Sequence, residues 1–255
     1  MMERSEIAEE LNSVINLYTD FIKTGVNQPH TSYDFSNYTI EITTPEEQII
    51  SPPIQEHNTQ PIIEQTNQTG KNGTMKMIDL SIEISRCKKC PLSQKAKKII
   101  PGNGLVNTDI FILTNPVTPN EEKENYPLSG EEKEFFFKWL TAIGLNPEKI
   151  FITNLLKCNW TTNQLKIEFI EACRGYLDRQ IDIVNPKIIL TLGQLSLSSL
   201  KKAHADIMNE RGRIIDYRGY KVFPIFDPGM VLKNPALKTI VWNDLKMFKS
   251  IIDNG

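Results

Sequence analysis

Apolar and polar positions follow two different rhythms along this chain. From about residue 76 onward, four short runs are almost continuously apolar: Asp109–Thr114 (DIFILT), Lys149–Asn154 (KIFITN), Lys187–Leu192 (KIILTL) and Lys221–Phe226 (KVFPIF). Such runs suit strands buried on both faces, as in a parallel sheet covered on each side. Between and after them, apolar residues recur at helical spacing over about 131–143, 166–182, 194–202 and 238–252. Alternating strands and helices predict an α/β fold: a three-layer α/β/α sandwich with a central, mostly parallel four-stranded sheet and right-handed crossovers. Ligands of such folds gather at the carboxyl ends of the strands. Three loops therefore draw attention: after Thr114, around Asn154 and after Phe226.

The leading segment has another texture. Residues 5–24 place Ile7, Leu11, Val14, Ile15, Tyr18 and Ile22 at helical spacing, with Ser5 as the candidate N-cap. Residues 26–74 are rich in Asn, Gln, Thr, Pro and Glu and hold no sustained period, so they bury too little apolar surface to offset the entropy of ordering. The expected organisation is an N-terminal helix over 1–25, a disordered polar linker over 26–75 and one domain over 76–255. The helix reads as a docking element for a protein partner. No run approaches the roughly 18 continuous apolar residues of a membrane span, and MMERSEIAEELN lacks a basic-then-apolar signal segment. A cytoplasmic monomer without membrane association is the expectation.

Charge and cysteine content refine this picture. The net charge is −2, but it is unevenly spread. Residues 1–80 carry 12 Asp/Glu and 4 Lys/Arg, a net of −8, while residues 81–255 carry 19 and 25, a net of +6. A mildly basic domain behind an acidic leader is compatible with phosphate binding, and equally with ordinary solvated lysine faces. Four cysteines in 255 residues do not make a disulfide scaffold. Cys87 and Cys90 form a C-x2-C pair before Pro91, Cys158 follows the second strand, and Cys173 lies on the next helix. Four thiolates suit either zinc or an iron–sulfur cluster, and spacing alone leaves both open. Buried, unreactive core thiols are the third reading.

The order of local motifs adds what no single motif gives. RCKKCPLSQKAKKIIPGNG, a strand, YPLSG, GLNPEKIFITNLLKC, EACRGYLDRQIDIVNPKIILTLG, RGR, FPIFDPGMVLKNP and WNDLKMF follow one another from about residue 84 to the C-terminus. This layout resembles the family 4 uracil-DNA glycosylases. The resemblance implies a uracil-DNA glycosylase-like fold and a [4Fe–4S] cluster on Cys87, Cys90, Cys158 and Cys173. It also implies base excision repair: hydrolysis of the N-glycosidic bond of deoxyuridine in single- or double-stranded DNA. Such chemistry needs a base swung out of the stack, donors aimed at the departing uracil oxygen, a group that places water, and a platform that covers the base.

The matching positions are partly retained. Asn154 stands where the family reads the polar edge of uracil. The water-binding motif, Gly-Glu-Ala-Pro-Gly in the family, is Leu113-Thr114-Asn115-Pro116-Val117, so the glutamate is replaced by Thr114. Asn115 with Pro116 is similar to the Gly-x-Asn-Pro-Gly motif of the mismatch-specific uracil and thymine glycosylases, which implies that Asn115 positions water. Glu121 or Glu122 could substitute for that glutamate, and otherwise read as solvated loop carboxylates. The base-stacking phenylalanine is Leu128, with Tyr126 as a partial substitute, and the catalytic histidine of His-Pro-Ser or His-Pro-Ala is Asp227 in Asp227-Pro228-Gly229. An ionised aspartate there is an acceptor only, and donates solely if burial keeps it protonated. His30, His57 and His204 read as surface residues. Leu232 and Lys233 match the loop that enters the minor groove, and Arg211 and Arg213 are placed for backbone contacts. Together these departures imply weakened or lost excision. The alternative is an inactive iron–sulfur protein that binds DNA or a partner.

Overall fold

Each of the four apolar runs forms a strand, and alternate residues of every strand face opposite layers. The computed structural model describes residues 66–160 (side chains from residue 73), 165–201 and 205–254. The helix expected over 5–24 and His30, His57 and His204 lie outside the described residues. The parallel strands are β2 (Ile110–Thr114), β3 (Phe151–Asn154), β4 (Ile188–Leu192) and β6 (Tyr220–Ile225). Two short strands extend the sheet at its edges, β1 (Asn103–Gly104) and β5 (Ile215–Tyr217). The order is β1-β3-β2-β4-β6-β5, parallel in the centre and antiparallel at both edges. The four-stranded expectation is thus corrected to six. Neither edge strand shows in the hydrophobic pattern, because two and three residues with exposed positions make no apolar run.

The helices cover both faces. On one side Phe111, Leu113, Phe151, Ile189 and Val222 pack with Met77, Leu80 and Ile84 of α1 (Thr66–Ser85) and with Tyr176, Leu177 and Ile181 of α5 (Ile167–Val184). On the other, Ile112, Ile152, Leu190, Phe223 and Ile225 meet Phe136, Trp139 and Leu140 of α4 (Gly130–Ala142) and Val241, Leu245 and Phe248 of α9 (Lys238–Asn254). This is the three-layer sandwich. The helix α1 starts at Thr66, within the stretch read as linker, and buries residues 77, 80 and 84, one helical stripe, against α5. Short helices complete the chain: α2 (Pro91–Lys95), α3 (Pro119–Glu124), α6 (Gln194–Leu200), α7 (Ile207–Glu210) and α8 (Pro228–Lys233). Among the described residues, no helix is long and apolar enough to cross a membrane.

Candidate active site and cysteine cluster

The carboxyl ends of β2, β3, β4 and β6 bring Thr114, Asn154, Gly193 and Asp227 to one end of the sheet. Asn154 is fully buried. Its Nδ2 lies 3.1 Å from Thr114 Oγ1, 3.0 Å from the Asn115 carbonyl and 3.2 Å from Glu121 Oε1. A carbonyl and a carboxylate only accept, so the amide nitrogen must face them and the amide oxygen must point elsewhere. That oxygen, Oδ1, is buried and has no hydrogen-bond partner. A buried acceptor without a donor costs about 1–3 kcal/mol, and an incoming N–H would recover it.

Glu121 organises the rim of this site, which corrects its reading as a solvated carboxylate. It is 4% exposed, and Glu122 beside it is 8% exposed. Glu121 closes a capping box on α3: Thr118 N–H donates to its Oε2 at 2.6 Å and Glu121 N–H donates to Thr118 Oγ1. Its other oxygen accepts from Leu128 N–H at 2.7 Å, fixing Leu128 in the left-handed region at φ 64°. Burial raises the Glu121 carboxyl above the ordinary range, opposed by these hydrogen bonds. The Thr-x-x-Glu spacing is a helix-start signature that sequence reading could have used. Leu128 is buried against the α4 layer. Tyr126 is half-buried, edge-on to Phe137 at 6.5 Å, with Lys133 Nζ 3.8 Å over its ring.

Asp227 caps α8, its Oδ1 accepting from Met230 N–H at 2.9 Å, and is 8% exposed. Burial raises its carboxyl, against the backbone donors and Lys233 that lower it. Gly193, at φ 88°, leaves room for it: a Cβ there would stand 2.8 Å from Asp227 Oδ2 and 3.4 Å from Asn115 Nδ2. Asn115 and Asp227 are therefore neighbours across one glycine. A third carboxyl, Glu132 near the start of α4, was not singled out in the sequence. It stands at an exposed position, and partial desolvation of its carboxyl, then Asp227 and Glu121, push it up to about 7.

The four thiols form a second cluster. Cys158 and Cys173 are buried in the α5-side core, and the half-buried Cys87 and Cys90 pack against them. Burial, followed by the proximity of Cys173, Cys90 and Cys87, pushes the Cys158 thiol up to about 12. Cys173 is likewise raised by burial, and the Lys157 N–H donates to it. Lys89 N–H lies 3.4 Å from the Cys87 sulfur. Lys157, 1% exposed, holds its ammonium on Thr153 Oγ1 at 2.6 Å and the Asn154 carbonyl at 2.7 Å. Among the described residues, no three His, Cys, Asp or Glu side chains are disposed to hold one metal ion.

Residues 101–246 match the uracil DNA glycosylase superfamily. The type-4 uracil-DNA glycosylase of Sulfurisphaera tokodaii is 36% identical over 180 residues, covering 66% of this chain and 81% of the relative. That of Saccharolobus solfataricus is 34% identical over 182 residues (68% and 84%), and that of Thermotoga maritima 31% over 178 (68% and 93%). The chain belongs to the uracil-DNA glycosylase superfamily.

Within that superfamily the rim residues divide. Leu232 is half-buried and Lys233 exposed, both on α8 directly after Asp227. Arg213 is exposed. Arg211 has another engagement: its Nε and Nη2 grip both oxygens of buried Asp244 at 2.7 and 2.6 Å, and its guanidinium lies 5.6 Å from the Phe226 ring centroid. This bidentate pair ties the β5 side of the sheet to α9 and gives Arg211 a structural part. On the cysteine side a cleft of about 800 Å3 is lined by Arg86, Lys88, Lys97, Lys98 and, at its far wall, Asn125. None of the four cations forms an ion pair among the described residues. Asn125 immediately precedes Tyr126, so the cleft runs toward the loop that carries Leu128.

Proposed function

We propose that this chain is a uracil-DNA glycosylase of base excision repair, slower than relatives with intact motifs, built around a [4Fe–4S] cluster on Cys87, Cys90, Cys158 and Cys173. The observation that carries the reading is the unsatisfied Asn154 Oδ1. It offers an acceptor, held rigidly by the three contacts to Nδ2, to a base swung into the end of the sheet. Uracil presents N3–H to such an acceptor, whereas cytosine presents a lone pair there and is repelled. Leu128 and Tyr126 cover the base, and Asn115 orients the water that adds to the sugar. Water supplies the hydroxyl that ends on the sugar and the proton that ends on uracil.

The slower rate follows from the same residues. Thr114 brings no carboxylate to the water, and a positioned base is worth about 10²–10⁴-fold. Leucine in place of an aromatic platform forfeits about 1–3 kcal/mol of stacking. When bound, the cluster would cross-link the α1–α2 loop, the end of β3 and α5. Its fit is supported by four thiols brought together in and against one core. Such a cluster suits a reducing cytoplasm.

The test is incubation with uracil-containing single- and double-stranded oligonucleotides, read as alkali-labile abasic sites. Excision by the native chain and its loss, by at least 100-fold, in Asn154→Ala is the expected outcome. A second reading is favoured by one observation, the crowding of Asp227, Glu132 and Glu121 where negative charge must develop on uracil. On that reading the protein binds DNA without excision, and Asp227→His changes nothing.

A further inference from the structure

A point beside Gly229 identifies the residue that replaces the family's histidine. A Cβ on Gly229 would stand 2.5 Å from Glu132 Oε1 and 3.3 Å from Asp227 Oδ1. Two carboxyl groups from different layers, α4 and the β6–α8 loop, therefore converge on the space that a side chain at position 229 would fill. The family motif places Ser or Ala after the His-Pro, and here the residue is glycine. The histidine-to-aspartate and Ser/Ala-to-glycine changes are thus one rearrangement: glycine clears the volume into which the Glu132 carboxyl reaches. Two like charges brought toward one space raise the affinity for a proton there. The proton's place is set by the surroundings. Asp227 Oδ1 accepts from Met230 N–H, and Lys233 also favours its ionised form. Glu132 has Asp227, Glu121 and Glu131 around it, with Lys233 as a favourable charge. Met230 N–H and Lys233 favour the anion on Asp227, and the acidic neighbours of Glu132 favour a proton there.

We propose that Glu132 is the acid that hydrogen-bonds the departing uracil, taking over from the absent histidine. This rests on the uracil-excision reading above. As the glycosidic C–N bond breaks, its electron pair passes to the uracil nitrogen and spreads to a carbonyl oxygen of the base. The Glu132 O–H donates to that oxygen and delivers its proton. Water adds to the sugar carbon, and the proton released from that water returns to the Glu132 carboxylate. Asp227, capped by α8, stays ionised throughout, and its charge holds the proton on Glu132 until the base needs it.

Single-turnover excision measured from pH 5 to 9 tests this. The native chain is expected to lose rate as pH rises past about 7, the value to which Glu132 is pushed. Glu132→Ala is expected to lower the rate at pH 6 by about 100-fold or more while leaving the affinity for uracil-free DNA unchanged. Gly229→Ser, which restores the family residue and displaces the carboxyl, is expected to lower it as well. An active native chain whose rate and pH profile survive Glu132→Ala overturns the assignment and leaves the glycosylase reading standing. So does a Gly229→Ser chain faster than the native one. A native chain that binds uracil-containing DNA and excises nothing at any pH overturns both.

Discussion

Burial governs the chemistry of individual side chains at the carboxyl end of the sheet. Glu121, Glu132 and Asp227 are all held above the ordinary carboxylate range, first by burial. The consequence for stability has a definite sign. A carboxyl whose folded pKa exceeds its unfolded one binds more protons in the native state, so stability falls as pH rises between the two values. For Glu132 that window runs from 4.5 to about 7. Urea unfolding at pH 5, 6, 7 and 8 is expected to show Glu132→Gln gaining on the native chain as pH rises through this window. A difference that stays constant from pH 5 to 8 contradicts the carboxyl environment described. The effect is modest, because Glu132 keeps a solvated flank. Asn154 illustrates the converse: its position was legible in ITNLLKC, but the inward turn of its nitrogen required Glu121, thirty-three residues away.

At the scale of elements, short polar links hold the site to the thiol cluster. Glu122, next to Glu121 on α3, accepts from Lys97 N–H at 2.7 Å and Lys98 N–H at 3.3 Å, and its other oxygen accepts from Asn159 Nδ2 at 3.2 Å. The segment after Cys90 and the segment after Cys158 are thereby fastened to the helix that fixes Asn154 and Leu128. A cluster across the four cysteines would lock the same junction. Protein purified without oxygen is expected to be brown, to absorb broadly near 400 nm, and to contain about four irons and four sulfides per chain. Cys158→Ala is expected to abolish the colour and reduce excision, by loosening α3 through Glu122. A colourless protein with one zinc sinks the iron–sulfur reading. These links had no signature in the hydrophobic pattern, since Glu121 and Glu122 lie in a polar stretch whose composition resembles any solvated loop.

On the scale of the whole molecule, charge is distributed in a way that suits a nucleic-acid strand. Residues 86–98 hold six Lys/Arg and no Asp/Glu, and all six cations are exposed. Four of them line one cleft together with Asn125, while Leu232 and Lys233 flank Asp227 on α8. Binding of a uracil-free single-stranded oligonucleotide at increasing salt measures the contribution. Replacing Lys97 and Lys98 by Ala is expected to weaken binding and to flatten the log K–log[salt] slope by about 1 for each phosphate that is no longer neutralised. An unchanged slope places the strand elsewhere. The acidic leader, net −8 over residues 1–80, belongs to this balance, because it dilutes the basic domain to a chain net of −2.

What the sequence determined by itself was the layered α/β plan and the identity of the thiols. Strand runs and helical stripes are local periodicities, and each survives without knowledge of its neighbours. Motif order also located Asn154 and Asp227 at strand ends, because loops after parallel strands converge by topology. The tertiary structure alone decided which polar groups meet. That Arg211 spends its fork on Asp244, that Glu121 faces inward, and that Gly229 opens a space for Glu132 are all contacts between distant segments. Burial and proximity, which set whether a carboxyl is a solvated anion or an acid, are properties of the packed chain and leave no mark in one dimension.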